Sequence, residues 1–192
     1  MRSTNNYLNQ DDFGRVIDAI PSLGIRKWFD QDIAMLFEIM YWCALRPNEA
    51  IGLKKEDFDI EIREISLGNT KTRRNDKAPI PTIFVPRLSL WLAEKEDGRL
   101  FEGLTYNSFY PWLKKLGRKL DIAAWITPQE ITGEKTVGHI FRKSVGKDML
   151  SGLYGEKAKN ISVISKQLRH AKPSITVDHY LKADIQVVKE AW

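Results

Sequence analysis

Apolar positions in the first fifty residues recur three and four apart, the spacing of a helix with one buried face. They predict one helix over 10–20, with Asn9 as its N-cap and Pro21 at its end, and a second over 31–44, with Asp30 as its N-cap. The second helix should bury a face of five apolar residues: Ile33, Leu36, Phe37, Met40 and Tyr41. Pro47 suits the first turn of a short helix over 47–53.

Short extended segments follow these helices. Segments 58–60, 64–67 and 79–85 each predict a strand, and a polar, basic turn over 68–77 separates the last two. Pro79 and Pro81 lack the N–H that a sheet ladder needs, so they favour an edge position for the third strand. Three short strands with tight connections predict a small antiparallel sheet in a mainly helical α+β fold.

Helical spacing returns after residue 87. We expect a short helix containing Leu88 and Trp91, then helices over 107–120, 138–154 and 161–168. Pro173 opens a last short helix that reaches Tyr180. No internal segment has the length or composition of a linker, so we expect one domain over 1–192.

Composition narrows the class of protein without identifying its partner. The chain has 43% hydrophobic and 29% charged residues, as globular proteins do, and its net charge of +5 permits an anionic partner. Cys43, the lone cysteine, lies in an apolar run and predicts a buried thiol in a reducing compartment. The longest apolar stretch, 33–45, is too short for a bilayer and contains Glu38, so we expect a cytoplasmic protein that does not enter a membrane.

Two arginines are candidates for binding a phosphodiester. Metal-free phosphoryl transfer needs cations on the non-bridging oxygens, an in-line nucleophile and an acid for the leaving oxygen. Arginine suits the first task because its planar fork is always charged. Arg46 follows an apolar helix and Glu49 is placed to orient it, while His139 and Arg142 share one face of a predicted helix. The alternative is that each arginine forms an ordinary structural ion pair.

The remaining chemistry comes from a lysine, a histidine and a tyrosine. Lys71 lies in the basic turn and suits a general acid because the pKa of a lysine falls when it is desolvated near other cations. His170 can donate to a phosphate, although a histidine just after a helix is often a C-cap. Tyr180 is the candidate nucleophile, and its ordinary pKa of about 10 requires neighbouring cations to activate it.

Four segments together resemble the catalytic domain of tyrosine recombinases, the phage-integrase family. Leu45-Arg46-Pro47-Asn48-Glu49-Ala50 is similar to the family's first arginine box, and Thr70-Lys71-Thr72 to its β-hairpin lysine segment. His139-Ile140-Phe141-Arg142 is similar to its His-x-x-Arg box. Leu168-Arg169-His170 followed by Tyr180 is similar to its closing box. The resemblance covers nearly the whole chain.

The resemblance implies a role for each candidate. Arg46, Arg142 and His170 would bind the scissile phosphate, His139 would assist proton transfer, Lys71 would be the general acid and Tyr180 the nucleophile. It also implies a DNA breaking-rejoining type of fold, cleavage through a 3′-phosphotyrosyl intermediate without metal, ATP or other cofactor, and a homotetramer on synapsed double-stranded DNA. We expect five further basic residues to bind DNA: Arg73, Arg74, Lys77, Lys143 and Lys172.

The chain also departs from the family pattern. Lys143 stands where a histidine is common, and Arg169 stands where a glycine is common. Family members usually carry an N-terminal DNA-clamping domain, which we expect to be absent from this chain. An isolated domain could be a monomer, and the tail over 184–192 could pack on a neighbouring protomer or on its own domain.

Two other functions remain open at this point. A type IB topoisomerase-like relaxing enzyme would use the same residues, and a non-catalytic DNA-binding regulator could keep the fold. An RNA-binding module has little support, because the sequence contains no aromatic ribonucleoprotein box. We favour a DNA recombinase of a phage or another mobile element.

Overall fold

The computed structural model describes residues 7–25, 29–68, 76–122, 140–152, 159–170 and 174. Its α-helices are α1 (Gln10–Asp18), α2 (Asp30–Trp42), α3 (Pro47–Ile51), α4 (Val85–Ala93), α5 (Tyr106–Leu120), α6 (Ile140–Ser151) and α7 (Ile161–Gln167). Its strands are β1 (Phe58–Asp59), β2 (Glu64–Leu67) and β3 (Asp76–Pro79). The predicted mainly helical α+β fold with a three-stranded antiparallel sheet is confirmed.

The first helix starts where its cap predicts. The Asn9 side chain accepts a hydrogen bond from the backbone N–H of Asp12 over 2.7 Å. A 3-10 turn, Ile20–Leu23, then takes in Pro21 after α1 has ended at Asp18. The prediction that Asp30 caps the second helix is wrong. Phe29 holds the N-cap position without a side-chain hydrogen bond, and Asp30 is the first helical residue, where its charge favours the helix dipole.

Helix α2 is the centre of the core. Every residue from position 32 to position 41 is buried, so the helix is surrounded and does not bury one face alone as the sequence predicts. Phe37 packs edge-on against Phe109, with ring centroids 5.5 Å apart, and against Phe141 at 5.4 Å. Helices α5 and α6 therefore both pack against α2. Helix α2 ends at Trp42, two residues before the predicted end at residue 44. Ala44 has a φ of 53°, which a right-handed helix cannot include.

The sheet has the order β1-β2-β3, with antiparallel pairing throughout. Strand β2 occupies the predicted residues, but the third strand does not. Asp76–Pro79 pairs with β2, whereas residues 82–84 form a 3-10 turn that leads into α4. Pro81 cannot donate to a ladder, and Pro86 at the start of α4 favours a helix there. β3 has the predicted edge position.

The later helices start or end within a few residues of the prediction. A small apolar cluster joins the turn after α2 to α6 and α7 through four buried residues: Ala44, Val145, Ile164 and Leu168.

Cys43 is fully buried as predicted, and burial raises the pKa of its thiol. The last predicted helix, up to Tyr180, lies outside the described residues. Within the ranges given above, no helix has both the length and the apolar character needed to span a bilayer.

Candidate active site

The start of helix α3 holds the first predicted pair. Arg46 occupies the N-cap position with extended backbone (φ −73°, ψ 151°), and Pro47 begins the helix. Glu49, in the first turn, reaches back: its Oε2 accepts the backbone N–H of Arg46 over 2.7 Å, and its Oε1 accepts from Arg46 Nη1 over 2.7 Å. One carboxylate therefore fixes both the backbone and the guanidinium of Arg46, as predicted. The Arg46 side chain stays 42% exposed, so its guanidinium faces the surface.

Arg142 approaches the same junction from the interior. It lies on α6 and is 4% exposed. Its Nη1 donates to the carbonyl oxygen of Ala44 over 2.6 Å, across 98 residues of sequence. Ala44 is two residues before Arg46 and adopts a left-handed backbone conformation. That contact places the two predicted phosphate-binding arginines at one junction, Arg46 at its surface and Arg142 beneath it.

A third arginine belongs to this cluster, although its sequence position suggested only a departure from the family pattern. Arg169, directly after α7, donates from Nη2 to Glu49 Oε2 over 2.6 Å, and its side chain is 5% exposed. Its Nε lies 3.9 Å from Oδ2 of Asp76, the first residue of β3. The closing segment therefore meets the first arginine box and the start of β3 at Arg169. An arginine where glycine is common was the one sequence clue to this contact.

The cluster keeps Glu49 ionised. Burial of this carboxylate would by itself raise its pKa, but the Arg169 charge and the hydrogen bonds from Arg46 and Arg169 outweigh burial and hold the pKa below its usual value. A buried carboxylate that stays charged can orient two guanidinium groups at neutral pH. Glu49 therefore pairs with Arg169 as well as with Arg46.

The other predicted site residues divide into two groups. Lys77 is exposed on β3 and forms an ion pair with Glu64 of β2; that hydrogen bond raises the pKa of Lys77. Lys143 is partly exposed beside Arg142 on α6. The backbone N–H of His170 donates to Ser165 as the chain leaves α7. The remaining predicted residues lie outside the described ranges: Lys71, Arg73, Arg74, His139, Lys172 and Tyr180.

Known proteins resemble this chain in sequence and in fold. The sequence matches the phage integrase family over residues 6–186. It is 24% identical to the tyrosine recombinase XerA of Thermococcus kodakarensis over 200 aligned residues, which take in 99% of this chain and 62% of that protein. The catalytic domain of bacteriophage HP1 integrase has a similar fold, with a TM-score of 0.60, 21% identity and coverage of 94% of this chain and 93% of that one.

A second solved structure has the same fold and carries DNA. The XerH site-specific recombinase, bound to a palindromic difH substrate in a post-cleavage complex, matches with a TM-score of 0.66 and 16% identity. The match covers 95% of this chain and 53% of that one. The chain thus spans about three fifths of XerA and about half of XerH, but nearly all of the HP1 catalytic domain.

Proposed function

Because the chain belongs to the phage integrase family, we propose that it is the catalytic domain of a site-specific DNA recombinase, one that cuts and rejoins strands through a tyrosine. The observation that carries this proposal is the junction of Arg46 and Arg142. Two arginines far apart in sequence are held at one place, one by Glu49 and one by the Ala44 carbonyl. A pair of positioned guanidinium groups suits the non-bridging oxygens of a phosphodiester.

The chemical steps follow from the residue types. The Tyr180 oxygen attacks the phosphorus in line, the bond from phosphorus to the 5′-oxygen breaks, and Lys71 gives that oxygen its proton. The product is a 3′-phosphotyrosyl bond with a free 5′-hydroxyl. Arg46, Arg142 and His170 stabilise the charge that builds on the phosphoryl oxygens, and His139 takes the tyrosine proton. Attack by another 5′-hydroxyl reverses these steps and joins new strands without ATP.

Double-stranded DNA is the proposed substrate. XerH, which shares the fold, was solved bound to its difH site, and this chain has a net charge of +5. Arg73, Arg74, Lys77, Lys143 and Lys172 would contact the backbone, and contacts of this kind position a protein without reading sequence. The relatives favour a recombinase over a topoisomerase-like relaxing enzyme, and the likeness to the HP1 integrase supports our proposal of an origin in a phage or another mobile element. We also propose that the protein acts in the cytoplasm as a homotetramer on synapsed DNA.

Covalent trapping tests the reaction. Nicked duplexes made from the DNA that flanks the gene, together with a randomised duplex library, would be incubated with the protein and resolved under denaturing conditions. The wild type should form a protein–DNA adduct, and Tyr180→Phe should form none. Tyr110→Phe, a change of the same chemistry on α5, is the matched control and should react like the wild type.

An absence of adduct on every duplex, with the same DNA affinity in wild type and Tyr180→Phe, would favour a non-catalytic regulator. The topoisomerase-like enzyme would be favoured if the wild type relaxed supercoiled plasmid as fast as it forms the adduct but did not join paired sites. Light scattering with and without the reactive duplex would report the tetramer.

A further inference from the structure

The end of helix α7 uses an arginine where the backbone favours glycine. Arg169 N–H donates to Lys166 O over 2.9 Å and His170 N–H donates to Ser165 O over 3.0 Å, the two hydrogen bonds of a Schellman motif. The residue between these bonds must adopt a left-handed conformation, and Arg169 has a φ of 49°. Glycine adopts this conformation without a Cβ clash, whereas arginine does so against a steric penalty. We therefore ask which contact of the Arg169 side chain offsets this penalty.

That contact is an ion pair inside the candidate site. The side chain of Arg169 is 5% exposed, and its Nη2 lies 2.6 Å from Glu49 Oε2, the same oxygen that accepts the Arg46 backbone N–H. The Arg169 Nε lies 3.9 Å from Asp76 Oδ2, beyond hydrogen-bond distance. Glu49 is therefore its main partner.

We propose that Arg169 is a positioning residue that holds Glu49, and through Glu49 the Arg46 guanidinium, in the orientation needed for strand cleavage. This inference rests on the proposed function. It links the segment that leads to His170 with the segment that carries Arg46, so that both phosphate-binding elements are set by one buried carboxylate. The Arg169 side chain is 5% exposed and contacts Glu49 directly, so we expect it to act on Arg46 through that carboxylate.

The electrostatics of Glu49 agree with this role. Among the described residues, the charged groups that face it are Arg46 from the start of its own helix and Arg169 from the end of α7, and Asp76 at the start of β3 faces Arg169. Without Arg169, Arg46 would be the one described cation opposing the burial of Glu49, and the pKa of Glu49 would rise. Protonated Glu49 would lose its charge-assisted bond to Arg46.

The test compares Arg169→Gly with Arg63→Gly. Arg63 also has a left-handed backbone (φ 57°), but it is exposed and lies beyond β1, so its substitution removes the same side chain at the same conformation away from the site. We would measure the rate of first-strand cleavage on the nicked duplex that forms the adduct, the dependence of that rate on pH, and the affinity for DNA. Arg169→Gly should cleave about tenfold more slowly at saturating DNA, with nearly unchanged affinity. The acidic limb of its pH–rate profile should move to higher pH, while Arg63→Gly stays at wild-type values.

Glu49→Gln completes a double-mutant cycle. If Arg169 acts through Glu49, adding Arg169→Gly to Glu49→Gln should slow cleavage by much less than tenfold. Full additivity, or a wild-type rate and pH profile in Arg169→Gly, would overturn the proposal. If Arg169→Gly does not fold, Arg169→Lys replaces it, and this variant should keep more activity at neutral pH than Arg169→Gln because it keeps the charge beside Glu49.

The cycle also separates this inference from the proposed function. If the wild type forms no adduct with any duplex, the recombinase proposal fails. Denaturant unfolding of the wild type, the two single variants Arg169→Gly and Glu49→Gln, and the double variant still measures the coupling between Arg169 and Glu49. Coupling there would support the holding role, and its absence would overturn it.

Discussion

Arg142 Nη1 donates to the carbonyl oxygen of Ala44 over 2.6 Å, which ties helix α6 to the turn from which Arg46 emerges. A buried guanidinium satisfies a backbone carbonyl that has left the α2 ladder, and the same bond aligns two predicted catalytic segments. Arg142 therefore has a structural task as well as its proposed chemical one. Arg46 lies at the surface of the same junction, so we expect it to contribute less to the stability of the fold.

Substitution should separate these two tasks. Arg142→Ala leaves the buried Ala44 carbonyl without its donor and should lower the free energy of unfolding by about 2 kcal/mol. Arg46→Ala removes a partly exposed pair and should cost less than about 1 kcal/mol, because Glu49 keeps Arg169. Both variants should fail to form the covalent adduct. Urea unfolding and adduct trapping measure the two effects, and equal stability losses would show that Arg142 has no special structural role.

Glu49→Gln should be costly at neutral pH. The neutral side chain would leave the Arg169 guanidinium buried without a full counter-charge, a loss of about 3 kcal/mol. The pKa of Glu49 in the folded protein lies below its usual 4.5, so its contribution is present above pH 4.5 and is lost as pH falls through the lowered pKa. The stability difference between wild type and variant should therefore shrink under acid. A difference that stays constant with pH would show that packing, not charge, is responsible.

The dependence of stability on pH that Asp148 contributes should have the opposite sign to that of Glu49. It is 1% exposed on α6 and accepts a hydrogen bond from the Tyr41 hydroxyl, and burial raises its pKa above 3.8 despite that bond. The folded state then holds the proton more tightly than the unfolded chain, so wild-type stability should fall as pH rises from 3.8 through the raised pKa. Asp148→Asn keeps an acceptor without the charge and should be at least as stable at neutral pH. Asp97→Asn, an exposed site, serves as the control; a less stable Asp148→Asn would contradict the prediction.

DNA affinity should depend on salt. Each phosphate contact that releases a counterion adds about −0.9 to the slope of log K against log salt. Lys143→Gln should reduce that slope by about one unit, whatever the DNA sequence. Arg15→Gln changes the charge equally on α1, where Arg15 is paired with Asp12, and should leave the slope unchanged. Fluorescence anisotropy across a salt series measures both, and a salt-independent affinity would count against DNA as the partner.

Local chemistry was enough to predict several elements. The Asn9 cap, the start of α3 at Pro47 and strand β2 depend on neighbouring residues, and the structure has all three. Tertiary context changed others. Asp30 is a helical residue and not a cap, and the third strand ends at Pro79, where the sequence predicts that it begins, because β3 takes its register from β2 across the sheet. Such pairings are set by contacts that no local window contains.

From the sequence alone came the residue types that phosphoryl transfer needs, their order along the chain and the Arg46–Glu49 pair. Only the tertiary structure put Arg142 against Ala44 and Arg169 against Glu49, since these contacts span 98 and 120 residues of sequence. Helix periodicity says which residues share a face, but it does not say which carbonyl or carboxylate a distant guanidinium will meet when the core closes. The folded arrangement of α2, α6 and α7 decides that.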